Sequence, residues 1–413
     1  MVSIRNIKCR LYLNSTQSSL MEMYQSHCRL VWNLALHQRE EYWNKASTHG
    51  PLQYKEAHGS ISEYGQSAEL TVLKNDFPFL YDTPAGTLTN VLTALDQSYK
   101  LFFSNLKKKN GLAGKPRYKR STDSIPLKFK GNANTKRGYT PVRIDGQNYA
   151  RIFLDKIGSV RFRCHEEVIG KVKNCMVKKE TDGWYITLAV EGEFTRENRS
   201  HKMIGIDLGV IHTVTTSEGE HIDMPTEFQL IEERIKFLKS RNDRRKVKFS
   251  NSWKKEVRKI AKLQQKLARA KDYFIKMTAN KLTTENFLVV LEDLKVKNMT
   301  RSAKGTIEDP GRNVAAKSGL NRSILSNNWA ALRNKIVQMG SKNGCEVVLV
   351  NPKHTSQTCS SCGLIHIDNR RTQEHFKCIG CGTEMNADVN AAINILRLGE
   401  PKFRSSTDDK KVA

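Results

Sequence analysis

Four of the nine cysteines in this 413-residue chain are spaced to hold a metal ion. Cys359-x2-Cys362 and Cys378-x2-Cys381 are separated by 15 residues. Each Cys-x2-Cys turn offers two thiolates to one tetrahedral ion, so the spacing fits a four-cysteine zinc ribbon over residues 355–385. Gly363 and Gly382 follow the pairs, where the chain must turn tightly. Four thiolates fill the coordination shell, so this single Zn²⁺ would be structural and would activate no water. Two disulfides could use the same residues. The odd cysteine total and the absence of an apolar leader in MVSIRNIKCRLYLN favour a reducing, cytoplasmic setting instead. Cys9, Cys28, Cys164, Cys175 and Cys345 stand alone and read as small core residues.

Three carboxylates form a second candidate group. Asp207 lies inside MIGIDLGV, where an unpaired buried carboxylate would be costly without a partner or a metal. Glu292 ends the apolar run FLVVL, and Asp293 beside it should face the other way because strand side chains alternate. Asp388 opens DVNAAINIL, in the first turn of a helix whose apolar face is Ala391, Ala392, Ile395 and Leu396. Each acid alone has a plain reading, as a strand-end acid or a helix cap, a task Asn386 could share. Together, two strand-borne acids and one on a helix start can meet at one edge of a mixed sheet. Two divalent ions roughly 3.5–4 Å apart could then stabilise the attacking water and the leaving oxygen of a phosphodiester. Hard carboxylate oxygens suit Mg²⁺ or Mn²⁺ rather than zinc.

The charge balance names the kind of partner. There are 69 Lys and Arg against 42 Asp and Glu, a formal net charge of +27. Nucleic acid supplies the dense negative charge that such a surplus would neutralise. No run approaches the roughly 18 apolar residues of a membrane span, so no membrane is expected. Lys107-Lys108-Lys109 is followed by Lys115, Arg117, Tyr118, Lys119 and Arg120, basic groups with an aromatic among them. Such a stretch can follow a phosphate backbone and stack a base, or be a solvated loop. The run from Arg244 to Lys262 is open to the same two readings.

Periodicity shows what must position these groups. Ile7, Cys9, Leu11 and Leu13 alternate with Lys8, Arg10 and Tyr12, as in a half-buried strand. Leu20, Met23, Tyr24, His27, Val31, Leu34 and Ala35 keep helical spacing in a stretch ending near Tyr42, and a second helix starts at Thr83-Pro84. From about residue 122 the period becomes two, with Asp182-Gly183 marking a hairpin. A β-barrel or curled sheet begun by the first strand, with the helical block inserted after it, is the simplest assembly. From His201, MIGIDLGV and the residues to Thr216 read as consecutive strands, and residues 227–282 as a helical hairpin or coiled-coil seam. FLVVLEDL, a helix near Asn328–Met339 and the strand EVVLV follow. Residues 295–319 read as a mobile loop, and those after Leu398 as a disordered tail.

GIDLG with Asp207, LEDL with Glu292, TSQTCSSCG followed by CIGCG, and NADVNAAINI with Asp388 resemble the TnpB family. These are transposon-encoded RNA-guided nucleases related to compact type V CRISPR effectors. The ordered motifs span residues 203–398, and the helical N-terminal block and GKPRYKR are similar with less specificity. The resemblance implies a multidomain α+β chain. A β-barrel wedge domain (residues 1–13 and 122–200) would carry a helical recognition insertion (14–121). An RNase H-like, RuvC-type α/β domain (201–354 and 386–398) would carry the zinc ribbon (355–385), with 399–413 as the tail. It further implies that Asp207, Glu292 and Asp388 bind the catalytic Mg²⁺ ions, and that Cys359, Cys362, Cys378 and Cys381 bind zinc. The expected partners are a guide RNA from the transposon end and double-stranded target DNA next to a short motif, the protein acting as a monomer with its RNA. Three other activities stay open: an RNA-guided repressor that never cuts, a transposase that joins strands, and a phosphotransferase of the actin/hexokinase kind. Against the last, Val210 follows GIDLG where Thr or Ser is usual, and no second Gly-rich phosphate loop is found.

Overall fold

In the computed structural model the described residues are 2–49, 61–107, 114–120, 124–130, 142–143, 148–164, 168–193, 197–245, 247–305 and 310–412. Residues 2, 3, 49, 130, 142, 143 and 404–412 are described by backbone alone. The chain divides into two compact units, Met1–Glu193 and Phe194–Ala413.

The first unit is a seven-stranded antiparallel sheet with helices inserted after its first strand. In chain order it comprises β1 (Val2–Tyr12), α1 (Ser15–His49), α2 (Glu63–Asp76), α3 (Ala85–Lys107), β2 (Leu127–Lys130), β3 (Val142–Arg143), β4 (Tyr149–Leu154), β5 (Gly158–Arg163), β6 (Lys171–Glu180) and β7 (Gly183–Glu193). The strand order is β2-β6-β7-β1-β5-β4-β3, so the N-terminal strand is central. No ladder joins β2 to β3 among the described residues. The alternation read from sequence is the burial pattern: Cys9, Leu11, Leu127, Phe129, Val160 and Phe162 are buried. The β6–β7 turn is Thr181-Asp182, since Glu180 already pairs with Gly183, one residue earlier than the Asp-Gly signal suggests. The first helix runs seven residues past Tyr42, to His49. The helix α2 escapes sequence reading because it buries only Gln66 and Leu70. Its start is fixed by a cap, Ser62 Oγ accepting from the Gly65 N–H at 3.1 Å.

The second unit holds both metal-site candidates. Its elements are β8 (Met203–Asp207), β9 (Val214–Thr216), β10 (His221–Ile222), α4 (Thr226–Asp243), α5 (Asn251–Glu285), β11 (Leu288–Glu292), α6 (Val296–Met299), α7 (Val314–Ser326), α8 (Trp329–Asn343), β12 (Glu346–Val350), β13 (His375–Lys377), β14 (Glu384–Asn386) and α9 (Ala387–Val412). The main sheet has the order β10-β9-β8-β11-β12. Its first three strands are antiparallel, and β8, β11 and β12 are parallel. The interior strand β11 is apolar at every position from Leu288 to Leu291 because both of its faces are covered. Val289 and Leu291 meet Ile275, Ala279, Leu282, Leu332 and Ile336 of α5 and α8. Leu288 and Val290 meet Ile395 and Leu396 of α9.

The helices α4 and α5 form the expected hairpin, with Ile235, Leu238, Ile260 and Leu267 in its seam. The expected mobile loop at 295–319 is corrected at both ends. A helical turn forms at Val296–Met299 and α7 starts at Val314; residues 306–309 lie outside the described residues. The expected disordered tail is corrected too, because α9 continues past Leu398 to Val412. Phe403 packs on Phe287, ring centroids 5.7 Å apart, and that apolar contact gives the helix a reason to continue.

Close approach of α9 to the sheet depends on glycine, at Gly399 of α9 against Val290 and above all at Gly205 of β8. A Cβ on Gly205 would lie 2.1 Å from the Ala392 carbonyl oxygen and 2.7 Å from the Leu396 nitrogen. Both obstacles are backbone, so neither can swing aside. Gly205→Ala is therefore expected to destabilise the second unit by about 2–4 kcal/mol, the range for overpacking or strain that cannot relax. Urea or thermal unfolding of the variant measures it; wild-type stability would show that α9 is not seated there.

Candidate functional site

The three acids come together because of where their elements end. Asp207 is the last residue of β8 and Glu292 the last of β11. These strands are parallel, with Leu291 beside Ile206, so both acids leave the sheet at the same edge. Asp388 joins them from the first turn of α9, the helix that Gly205 admits. The helix cap is made by Asn386, whose Oδ1 accepts from the N–H groups of Asp388 (2.9 Å) and Val389 (3.1 Å). The Asp388 side chain is thereby released from capping and turns to Arg370, whose Nη2 donates to its Oδ1 at 2.8 Å. Asp293 faces away, as alternation requires, and pairs with Arg333 at 3.0 Å and with Lys295.

Electrostatics shows that the acids share one site. Burial first, and then the charges of Glu292 and Asp388, push the Asp207 carboxyl up to about 7 against the opposing charge of Arg370. Glu292 is also raised, chiefly by burial, against the hydrogen bond that Thr355 Oγ1 donates to its Oε1 at 2.5 Å. Such a cluster sets three carboxylates against one guanidinium, and hard oxygen donors at a sheet edge suit a divalent cation. Among the described residues only the four cysteines bring three or more ligand atoms within 4.8 Å of one another, so the carboxylates are more widely spread.

The cysteines form a cage built by two matching turns. Gly363 N–H donates to the Cys359 carbonyl (2.9 Å) and Gly382 N–H to that of Cys378 (3.1 Å). Both glycines adopt positive φ, +79° and +75°, where a side chain would be strained. Cys359 Sγ lies 3.6 Å from Cys381 Sγ, and Cys362 Sγ 3.6 Å from Cys378 Sγ. A disulfide needs about 2.05 Å. Ligands about 2.3 Å from one tetrahedral ion are separated by nearly the distance seen. Cys381 is held down to about 6, first by the Thr383 hydroxyl and then by its N–H. The four-thiol cluster can hold a metal ion.

The cage and the acids are not separate devices. Asn390 of α9 accepts from the Ser360 N–H (2.9 Å) and donates to the Thr358 carbonyl (2.8 Å). Asn394 donates to the carbonyls of Thr355 (3.0 Å) and Thr358 (2.7 Å), and Arg397 to that of Ser360 (2.7 Å). Docked in this way, the ribbon delivers Thr355 to Glu292 and Arg370 to Asp388. Sequence reasoning missed both residues. Nothing in a Thr or in an Asn-Arg-Arg run announces a partner 18 or 63 positions away.

The proposed nucleic-acid residues belong to the first unit and are strapped along α1. Trp32 Nε1 donates to the Arg117 carbonyl (3.0 Å), and Asn33 exchanges hydrogen bonds with the Lys119 backbone. Lys119 Nζ lies 4.6 Å over the Trp32 ring, and Lys115 and Tyr118 both reach Glu40. Arg117 and Arg120 are exposed. Lys108 and Lys109 lie outside the described residues.

This chain has counterparts among known proteins. Residues 329–395 match the Cas12f1-like TNB domain, residues 175–303 a family described as a probable transposase (OrfB of IS605), and residues 1–47 its helix-turn-helix domain. The chain is 35% identical to the "Putative RNA-guided DNA endonuclease InsQ" of Escherichia coli K12 over 400 residues, 97% of this chain and 93% of that protein. A "Putative RNA-guided DNA endonuclease" of Streptomyces pristinaespiralis is 25% identical over 96% of this chain and 89% of its own length. Among solved structures, Cas12f1 in its complex with sgRNA and target DNA shares the fold. Its TM-score is 0.58 at 14% identity, covering 95% of this chain and 98% of that one. The chain belongs to the TnpB family of IS605-type elements, related to the Cas12f effectors.

The raised Asp207 carboxyl carries a stability consequence. Its folded value of about 7 lies above the ordinary 3.8, so the folded state favours the protonated form. Metal-free protein therefore loses this contribution as pH rises from about 4 through 7. Asp207→Asn removes the charge and keeps the shape. Metal-free Asp207→Asn should be more stable than wild type above pH 7 by on the order of 2 kcal/mol, the gap closing toward pH 4. Thermal melts across that range check it; a gap that is absent or reversed above pH 7 would contradict the shared site.

Proposed function

We propose that this chain is an RNA-guided DNA endonuclease whose nuclease site is formed by Asp207, Glu292 and Asp388. The observation that carries the reading is the convergence of the three acids at one sheet edge, with Asp207 raised to about 7 among them. The relatives named as RNA-guided endonucleases over nearly the whole chain support it.

The sheet order β10-β9-β8-β11-β12, three antiparallel strands followed by two parallel ones, supports an RNase H-like, RuvC-type reading of the second unit. The seven-stranded sheet with its helical insertion supports the wedge and recognition reading of the first. The four thiols fit one structural Zn²⁺, and the carboxylates fit Mg²⁺ or Mn²⁺. When bound, two such cations would supply charge stabilisation at the attacking and leaving oxygens of the scissile phosphodiester. The chain's own groups set the conditions. Asp207 and Glu292, fixed by adjacent strand ends, and Asp388, fixed by the Asn386 cap, face the substrate from one edge. Thr355 orients Glu292 through its hydroxyl, and Arg370 places a guanidinium beside Asp388, where it can also meet a phosphate oxygen. Lys115, Arg117, Tyr118, Lys119 and Arg120 would follow a nucleic-acid backbone, Lys115, Tyr118 and Lys119 from intrachain contacts they must share. Guide RNA and double-stranded target DNA are the partners of this reading. No helix among the described residues is long and apolar enough to cross a membrane.

The test is a cleavage assay with the RNA that co-purifies from cells carrying the native locus, a matching labelled duplex and Mg²⁺. Wild type should cut. Asp207→Asn, Glu292→Gln and Asp388→Asn should each lose at least about 100-fold in rate while still binding target, because charge stabilisation at the transition state is lost. Binding without cutting by wild type would favour a repressor, and joined strands a transposase.

The ribbon makes a separate prediction. Cys378→Ser should release zinc and withdraw both Thr355 and Arg370, lowering cleavage about tenfold or more although no acid has changed. Normal zinc content with normal cleavage would show that the cage neither binds zinc nor supports the site.

A further inference from the structure

The junction between α7 and α8 is two residues long. α7 ends at Ser326 and α8 begins at Trp329, with Asn328 at φ +52° turning the chain in the left-handed region that asparagine tolerates. This tight corner aims its polar groups at the strand that ends in Asp207. Asn327 Nδ2 donates to the carbonyls of Gly209 (3.3 Å) and Val210 (3.1 Å), and Trp329 Nε1 donates to that of Gly209 (3.1 Å). Gly209 itself is pressed close to an acid: a Cβ there would lie 2.7 Å from the His212 carbonyl oxygen and 3.6 Å from Asp388 Oδ2.

The corner is held from its far side by a buried cation. Lys271 of α5 is 8% exposed. Its Nζ donates to the Ser326 carbonyl (2.8 Å) and hydroxyl (3.2 Å) and pairs with Glu232 of α4 at 2.5 Å. A buried lysine is tolerated only when its charge is paired and its donors are used. Here those partners fix the last residue of α7, and so the residue from which Asn327 projects.

We propose that Asn327 and Trp329 are positioning residues for the nuclease site. They clamp the Gly209–Val210 carbonyls, and through them the exit of β8, so that Asp207 and Asp388 face one divalent-cation site. The proposal rests on the nuclease reading of the three acids. Their mutual repulsion pushes the segment after Asp207 outward, and three hydrogen bonds to two successive carbonyls oppose it. Packing alone would need only the Trp329 ring; the indole N–H and the Asn327 amide are what reach the carbonyls.

The test is Mn²⁺ binding to the full-length protein with its co-purified RNA, followed by electron paramagnetic resonance, with Asp207→Asn defining the site-specific fraction. Trp329→Phe removes the indole donor and keeps an aromatic ring; Asn327→Ala removes the amide at a half-buried position. Each should weaken the Asp207-dependent binding about fivefold to tenfold, the scale of losing a hydrogen bond or two. Target binding should hold, the melting temperature should fall by no more than a few degrees, as for the loss of about 1 kcal/mol, and saturating Mg²⁺ should restore the cleavage rate. Unchanged Mn²⁺ affinity in Asn327→Ala, the milder change, overturns the clamp whatever Trp329→Phe does. If wild type shows no Asp207-dependent Mn²⁺ binding, the nuclease reading falls and the clamp with it.

Discussion

Three carboxylates brought to one recessed sheet edge repel one another, and burial weakens the water that would otherwise screen them. Asp207 bears the effect most plainly, raised to about 7 by burial and by its two neighbours. Much of the second unit can be read as the means of keeping that arrangement together. Parallel pairing of β8 and β11 fixes two of the acids in register, so they cannot separate without breaking the sheet. Gly205 admits the backbone of α9 and with it the third acid. Arg370 and Thr355 then offer a cation and a hydroxyl where the negative charge is densest.

This gives the four-cysteine ribbon a meaning beyond local stability. Its two knuckles close by backbone hydrogen bonds and glycine turns, which would make a small stable module in almost any context. Here the module is docked on the helix that carries Asp388, through Asn390, Asn394 and Arg397. The residues at its rim are then as firmly placed as residues of the sheet. A loop of this length without a metal would pay considerable ordering entropy to hold Arg370 against Asp388. Four thiolates joined by one metal ion would remove most of that freedom at once.

The parts legible in the sequence are those written in local spacing. The Cys-x2-Cys pairs, the alternation of β1, β2 and β5 and the apolar run of β11 follow from local spacing and form as read; the α4–α5 seam forms through Ile260, Leu263 and Leu267, while Phe274 turns to the sheet core and Met277 is exposed. The same rule explains the omissions. The helix α2 buries only Gln66 and Leu70, so it leaves no stripe to find. The continuation of α9 past Leu398 depends on Phe403 reaching Phe287, a partner 116 residues away. Each acid could be singled out and their meeting at one sheet edge expected, but the parallel pairing of β8 with β11 that brings two of them together is a property of strand order. Thr355 and Arg370 could not be found at all, since their roles begin with the docking of the ribbon.

The basic segment Lys115–Arg120 shows why composition alone overstates a binding surface. Counted as charge, it is an open cationic stretch; in the structure Lys115 and Tyr118 are engaged by Glu40 and Lys119 lies over Trp32. Exposed ion pairs of this kind hold by about 1 kcal/mol or less, so a phosphate can compete for the same lysine. The strapping is then preparation as much as occupation. It fixes the path of the backbone along α1 through Trp32 and Asn33, so a ligand docking there would meet a segment whose ordering cost is already met. The same logic governs the acids of the second unit, where neighbours within the chain hold Glu292 and Asp388 in place. In both units the fold uses a weaker internal partner to keep a charged group where a stronger external one can take it.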